Sequence, residues 1–359
     1  MKAAIISLGS TTSLMIAEAM KKYFTQVDQI NLKKIEVRLG KESGIFYEGK
    51  KFDTYDCVYV KGSFRYANLL RSIAALLEGK VPYMPLPANA FTLVHNKLLT
   101  HLVLQQYNLP MPRTYVSSTI DTAREVLKRV HYPVVMKFPE GTQGKGVMFA
   151  DSFSSASSLL DALGALNQPF IIQEYIETDG TDIRVLVVGE KVVAAMRRKA
   201  QKEEKRANIH AGGTGLGVEL SREAINLALD TAQVLGAEIC GVDILESPLG
   251  PYVIEANISP GLQGLSKVSP VDLSGEIAKY MFQRTEQEVQ RKKERAGETV
   301  MKQIVVNNGE PQQVVTSLQF RGDRIILPEI VNKIAQLRER KEYSLKVQKG
   351  KVEIEEFQK

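Results

Sequence analysis

Gly241-Val-Asp243-Ile-Leu-Glu246-Ser-Pro-Leu-Gly250-Pro-Tyr-Val-Ile-Glu255-Ala-Asn257-Ile-Ser-Pro-Gly261 holds two apolar runs on either side of Ser247-Pro-Leu-Gly250-Pro251. It reads as a β-hairpin closed around a Pro/Gly turn. Pairing Ser247 with Pro251 puts Asp243 directly opposite Glu255, with Asn257 two positions on and on the same face. Opposed side chains lie about 5 Å apart at Cβ, and two carboxylates that close repel unless something positive lies between them. Two carboxylates and an amide form an oxygen donor set that suits Mg²⁺, a hard cation that keeps water and substrate phosphates as its other ligands. The plainer reading is an exposed hairpin face with ordinary polar residues. Against it, Glu255 and Asn257 interrupt an otherwise apolar strand just before a Ser-Pro-Gly break.

Working outward, 359 residues are too many for one small core and suggest two or three domains. Hydrophobic content of 44% and charged content of 25% are those of an ordinary globular protein. Met1-Lys2-Ala-Ala-Ile-Ile-Ser-Leu-Gly9 is too short an apolar run for a signal peptide or membrane span and reads as a first buried strand. Cys57 and Cys240, both in apolar strand-like runs, are expected to be reduced, buried thiols in a cytoplasmic protein that makes no membrane contact. Four histidines and two cysteines argue against a dedicated zinc site. Between Arg284 and Lys359 stand 16 Lys and Arg against 12 Asp and Glu, a net of +4 out of +6 for the chain. The basic excess therefore sits in the tail.

Residues 1–88 alternate strand-like runs (Ala3–Leu8, Cys57–Lys61) with helix-like ones (Ser13–Tyr23, Tyr66–Leu77), as a small α/β sheet does. One helix is predicted after Pro87, with Asn89 as its cap, Lys97 inside it and Asn108-Leu-Pro110 at its end. Strands are predicted at Tyr132–Phe138, Val147–Ala150, Phe170–Tyr175, Ile183–Val188 and Lys191–Met196, and helices at Ser221–Leu235 and Val271–Phe282. The charge run 284–299 reads as a solvated helix end or linker, with a separate module after it.

Lys137-Phe-Pro-Glu140-Gly141-Thr-Gln-Gly144-Lys145-Gly146 is not a Walker P-loop, because its glycine spacing differs and no Ser or Thr follows Lys145. It runs from strand to strand, and its glycines would let backbone N–H groups close over phosphates. Lys137 would supply a point charge there. Alone, the stretch fits a plain Gly-rich hairpin equally well. Gln173-Glu174-Tyr175 ends a strand where backbone groups and a carboxylate could meet a nucleoside. Asp182 and Arg184 share one strand face, as a structural ion pair or as site residues. Arg197-Arg198-Lys199 … Lys205-Arg206-Ala207-Asn208-Ile-His210 reads as a basic loop or as cations beside a nucleotide, leading into Gly212-Gly213.

Taken in order, Asn96-Lys97, Lys137 with Glu140–Gly144, Gln173-Glu174-Tyr175, Asp182-Ile-Arg184, Arg206–His210, Gly241-Val-Asp243 and Glu255–Leu262 resemble the ATP-grasp fold, and within it the RimK-like carboxylate–amine ligases. The resemblance covers residues 82–283, and residues 1–81 are similar to the family's N-terminal α/β domain. It implies a mixed α/β and α+β architecture. A Rossmann-like pre-ATP-grasp domain (1–88), a two-lobed ATP-grasp domain (89–283), a charged linker (284–299) and a small, mainly β C-terminal module (300–359) would follow one another. It also implies roles. Lys97, Lys137, Gly141 and Gly144 would hold ATP phosphates, Glu174 and Tyr175 the adenine end, and Asp182 the ribose side. Arg206, Ala207 and Asn208 would border the triphosphate. Asp243, Glu255 and Asn257 would ligate Mg²⁺, with Mn²⁺ as a substitute, and Arg198 or Arg206 would clamp the acceptor carboxylate. The implied reaction phosphorylates a carboxylate and then lets an amino acid's amine displace the phosphate, leaving an amide and ADP. Family members that add glutamate often carry His-Arg-Gly-Gly where this chain has His210-Ala211-Gly212-Gly213, which weakens glutamate as the inferred amino acid.

The tail, with a strand near Leu318, a Pro328-started helix and strands at Tyr343–Val347 and Val352–Glu356, looks like the swapped-hairpin modules of AbrB-type transcription factors. Two expectations follow: a homo-oligomer, and DNA as a partner of residues 300–359. The alternative to a ligase is an ATP-sensing DNA-binding regulator. The bland reading of the tail is a dimerisation or substrate-docking appendage.

Overall fold

The structure, a computed structural model, describes residues 1–139, 146–166, 168–199, 214–305, 319–322, 324–328, 331–332, 335–339 and 341–357. The chain forms two compact units, Met1–Val289 and Gln290–Lys359. No helix among the described residues is long and apolar enough to cross a membrane.

The first unit opens with β1 (Lys2–Ser7), α1 (Thr11–Met20), β2 (Gln26–Asn31), β3 (Ile35–Arg38), β4 (Gly44–Tyr47), β5 (Lys50–Lys51), β6 (Cys57–Val60) and α2 (Ala67–Leu77). Strands β2-β1-β6 form a parallel sheet. The runs Ala3–Ile6 and Cys57–Val60 are buried throughout, the pattern of a parallel strand covered on both faces. Ser10 caps α1 by accepting from the Ser13 N–H at 3.3 Å. The antiparallel sheet β3-β4-β5 is an addition to the predicted alternation.

Two helices, α3 (Ala88–Val94) and α4 (Lys97–Gln106), stand where the sequence predicts one. The cap is Asn96, not Asn89. Its Oδ1 accepts from the N–H groups of Leu98 and Leu99 at 3.0 and 3.2 Å, which satisfies two orphan donors and starts α4 at Lys97. The chain leaves α4 through Asn108, held at φ +55°.

Next come β7 (Thr114–Tyr115), α5 (Ile120–Leu127), β8 (Val134–Lys137), β9 (Val147–Ala150), α6 (Phe153–Ala165) and β10 (Ile171–Glu174). They build the antiparallel sheet β7-β10-β8-β9, with a core of its own around Leu127, Val134, Met136, Leu160 and Ile172. The larger lobe holds β11 (Thr181–Val188), β12 (Lys191–Lys199), β13 (Thr214–Gly217), α7 (Arg222–Val234), β14 (Ile239–Ser247), β15 (Gly250–Asn257), α8 (Leu265–Val268) and the first part of α9 (Leu273–Val305), whose remainder belongs to the second unit. Its sheet runs β13-β12-β11-β14-β15, and its apolar residues join those of the N-terminal sheet in one cluster. Two lobes with separate cores leave a cleft between sheets rather than one continuous interior. Helix α9 extends the helix predicted over Val271–Phe282, and residues 284–299 are helical.

The β14–β15 hairpin corrects the predicted turn register. Ser247 pairs with Gly250, not Pro251, and the offset holds through Ile244 and Val253. Gly250, at φ +116°, permits the tighter turn. A bulge then absorbs Ile254, so that Asp243 faces Glu255 and Gly241 faces Asn257.

In the second unit, β16 (Gln319–Arg321) and β17 (Arg324–Ile326) form a hairpin where one strand is predicted. β18 (Tyr343–Gln348) and β19 (Lys351–Glu356) form another, turning at Lys349-Gly350 as the sequence predicts.

Candidate active site

Lys97, Lys137, Glu174, Tyr175, Asp182, Arg198, Asp243, Glu255 and Asn257 line one cavity of about 760 Å³ in the first unit. Gly141, Gly144, Arg206, Ala207 and Asn208 lie outside the described residues, as does the rest of the loop around His210.

Lys137 ends β8 and is buried. Its ammonium donates to Gln173 Oε1 at 2.8 Å. The Gln173 amide nitrogen donates to Thr114 Oγ1 at 2.8 Å and lies 3.0 Å from His101 Nε2. His101 Nδ1 is 2.5 Å from the Lys97 carbonyl. That carbonyl only accepts, so Nδ1 carries the imidazole proton and Nε2 accepts from Gln173. Burial, reinforced by the Lys137 charge, pushes the His101 pKa down to about 4 and keeps the ring neutral. The relay from Lys137 through Gln173 and His101 to α4 is satisfied at each of these atoms, which fixes the ammonium in the cavity wall. Burial pushes the Lys137 pKa down to about 8, with the nearby Glu255 charge opposing and Lys97 adding to the fall. Neither His101 nor Thr114 was signalled by sequence, since no local pattern links residues that far apart.

Asp182 and Arg184 do not pair with each other. Each is paired across the sheet, Asp182 opposite Arg198 on β12 and Arg184 opposite Asp243 on β14. Arg198 binds Asp182 bidentately at 2.6 and 2.7 Å, and Arg184 binds Asp243 likewise at 2.7 and 2.6 Å. A third contact, Arg198 Nη2 to Asp243 Oδ2 at 2.8 Å, joins the pairs into a buried, neutral cluster of two carboxylates and two guanidiniums. Burial alone would raise the Asp243 pKa, but the charges and hydrogen bonds of Arg184 and Arg198 hold it well below the usual carboxylate range. Arg198 is thus engaged by two carboxylates rather than open to a substrate.

Glu255 is half-buried, and Asn257 Oδ1 accepts from the Ser259 N–H at 2.8 Å, which shapes the turn into Pro260. With the Asp243 oxygens they form a set of hard donors, the chemistry a divalent cation needs, although both Asp243 oxygens meet guanidinium N–H groups here. At the other end of the cavity, Glu174 accepts from Tyr115 Oη at 3.0 Å, and the Tyr175 ring meets Phe149 edge-on with centroids 5.9 Å apart.

Residues 94–281 match the family model of the RimK-like ATP-grasp domain. The chain is 35% identical over 288 residues to a probable alpha-L-glutamate ligase of Cellvibrio japonicus (strain Ueda107), covering 78% of this chain and 95% of that protein. A probable alpha-L-glutamate ligase of Xanthomonas oryzae pv. oryzae is 33% identical over 79% of this chain and 98% of its own length. In fold, the chain is similar to the ATP-grasp ligase PsnB in complex with a phosphomimetic variant of its minimal precursor, Mg and ADP, with a TM-score of 0.62 at 18% identity over 79% of this chain and 98% of that one. Family model, relatives and fold agree with the order of motifs around the cavity: the chain belongs to the RimK-like ATP-grasp ligases.

Proposed function

We propose that the cavity binds ATP and Mg²⁺ and that the enzyme joins an amino acid, glutamate by analogy with its relatives, to a carboxylate-bearing substrate. The observation that supports this most is the meeting of the Lys97 and Lys137 cations with the Asp243, Glu255 and Asn257 donors in one cavity. Lys97 and Lys137 would hold the phosphates, Glu174 and Tyr175 the adenine end, and Asp182 the ribose side. Asp243, Glu255 and Asn257 would hold the cation, and the cation, when bound, neutralises phosphate charge during transfer.

In the proposed reaction a carboxylate oxygen attacks the γ-phosphorus, the bond to the β–γ bridging oxygen breaks, and ADP leaves. The amine then attacks the acyl carbon, the bond to the phosphorylated oxygen breaks, inorganic phosphate leaves, and the amine proton passes to phosphate or solvent. This chemistry asks the protein for position and charge, not for a covalent nucleophile. The buried relay behind Lys137 supplies such a fixed charge. Arg198 is proposed to position the Asp182 and Asp243 carboxylates that it binds, and Arg206 to clamp the acceptor carboxylate.

The test is ADP release with ATP, Mg²⁺, each amino acid in turn and a panel of carboxylate acceptors, with product masses recorded. ADP formation that requires both the amino acid and the acceptor, with a matching mass gain, is expected. ATP binding without turnover across the panel would overturn the ligase assignment to these substrates. In the second unit, the described cations of β18–β19 pair with carboxylates, Lys346 with Glu355 at 3.2 Å and Lys351 with Glu353 at 2.5 Å.

The Lys137 assignment carries a pH signature. With its pKa near 8 in the free protein, the ammonium is lost as pH rises, and phosphate binding must restore the proton. ADP affinity at saturating Mg²⁺ is expected to fall about tenfold between pH 7 and pH 9, whereas Lys137→Arg, charged throughout, flattens that slope. A slope unchanged by Lys137→Arg, read by calorimetric titration, would remove Lys137 from the phosphate site.

A further inference from the structure

The phosphate and cation residues leave one wall of the cavity unexplained, the wall built by the N-terminal sheet. Lys61, directly after β6, lines the cavity and is only 3% exposed. Among the described residues its ammonium has no carboxylate partner and no hydrogen-bond acceptor. Its described electrostatic contact is the Tyr59 ring, 5.4 Å from the centroid. A buried ammonium without an anion costs several kcal/mol, and here burial pushes its pKa down to about 7. The start of α1 lines the same wall through Ser10, Thr11 and Thr12. Its first turn holds no acidic residue, and while Ser10 satisfies the Ser13 N–H, helix geometry leaves Thr11 and Thr12 N–H without intrahelical acceptors. Thr12 Oγ1 accepts from the Leu262 N–H at 3.1 Å, which ties this helix start to the segment that follows Asn257.

We propose that Lys61 and the N-terminus of α1 form a subsite for a substrate carboxylate that is not itself phosphorylated. The subsite rests on the ligase reading of the cavity and adds a specificity-determining residue to it. A carboxylate there would meet the Lys61 ammonium, whose charged form it would favour, and two aligned N–H donors, next to the turn that follows Asn257.

The test is calorimetric titration of L-glutamate and of N-acetyl-L-glutamate into full-length protein saturated with ADP and Mg²⁺. Lys61→Met is expected to weaken L-glutamate at least tenfold with ADP affinity within twofold of wild type, and Lys61→Arg to recover most of the loss. Its melting temperature should equal or exceed that of wild type, because an unpaired buried charge is removed. A loss confined to L-glutamate assigns the subsite to the amine-bearing substrate, and an equal loss for the amine-blocked probe assigns it to the carboxylate acceptor. Unchanged affinity for both probes, a loss that falls on ADP instead, or wild-type protein that binds ADP but neither probe would overturn the proposal. Wild-type protein that fails to bind ADP would bring down the ligase reading and this subsite with it.

Discussion

Glu255→Gln is expected to lower ATP-dependent turnover about 10³-fold while leaving the melting temperature unchanged, the scale of effect associated with losing a charge-stabilising group at a transferring phosphate. The two halves of this result have separate physical origins. Glu255 faces the cavity, and among the described residues no hydrogen bond or ion pair holds it, so exchanging one oxygen for an amide nitrogen orphans nothing in the fold. The carboxylate instead acts outward, as a negative charge felt by Lys137 and, on the proposed function, as a donor for the cation. Its loss should therefore shift the Lys137 titration as well, moving the pH at which ADP affinity begins to fall to a lower value, since the opposing charge is gone. Steady-state ADP release at saturating Mg²⁺, with a thermal melt of the same sample, checks the prediction. Undiminished turnover would sink the cation assignment, and a large drop in melting temperature would recast Glu255 as structural.

How far such residues could be read from sequence varies with the range of the interaction. The facing of Asp243 and Glu255 follows from strand alternation, yet the turn predicted to produce it is wrong by one residue. Gly250 allows the shorter loop, and an uncorrected slip would have put Ile254 opposite Asp243 and turned Glu255 to the other face. The bulge at Ile254 restores the pairing, and no local propensity announces a bulge inside Tyr-Val-Ile-Glu. Asn89 and Asn96 are equal candidates by residue type. Asn96 wins because its Oδ1 reaches two first-turn N–H groups, and the Lys97 N–H then donates to the Pro139 carbonyl at 2.8 Å, which brings α4 to the end of β8. Lys61 and the Lys137–Gln173–His101 relay were not legible at all. A single lysine after an apolar strand carries no periodic signal, and the relay needs β8, β10 and α4 brought together. The same holds for the pairing of Asp182 with Arg198 and of Arg184 with Asp243, which depends on strand order β12-β11-β14 rather than on spacing within β11.

That cross-strand cluster gives the second large effect. Asp243→Asn is expected to abolish turnover as Glu255→Gln does, but also to destabilise the fold by about 3–5 kcal/mol, the usual result of removing one member of a buried ion-pair group. Asp243 is 4% exposed and receives N–H groups from both Arg184 and Arg198. Its removal leaves Arg184 without a carboxylate partner among the described residues and Arg198 with Asp182 alone, a net positive charge in the interior. The folded-state pKa of Asp243 is depressed, so its contribution is fully present above the unfolded carboxylate value of about 4 and is lost as pH falls below it. Chemical denaturation at neutral pH should therefore show the full difference between wild type and variant, and the gap should narrow in acid. Adding Arg184→Met to Asp243→Asn removes the guanidinium that has lost its carboxylate, leaves the Arg198–Asp182 pair intact, and should return part of the stability without returning turnover. On the proposed function, a cation bound by Asp243 would compete with both guanidiniums for the same two oxygens, and the wild-type cluster would then balance folding against ligand binding at one carboxylate. If Asp243→Asn proved as stable as Glu255→Gln, that balance would be absent and the arginines would be held by something other than Asp243.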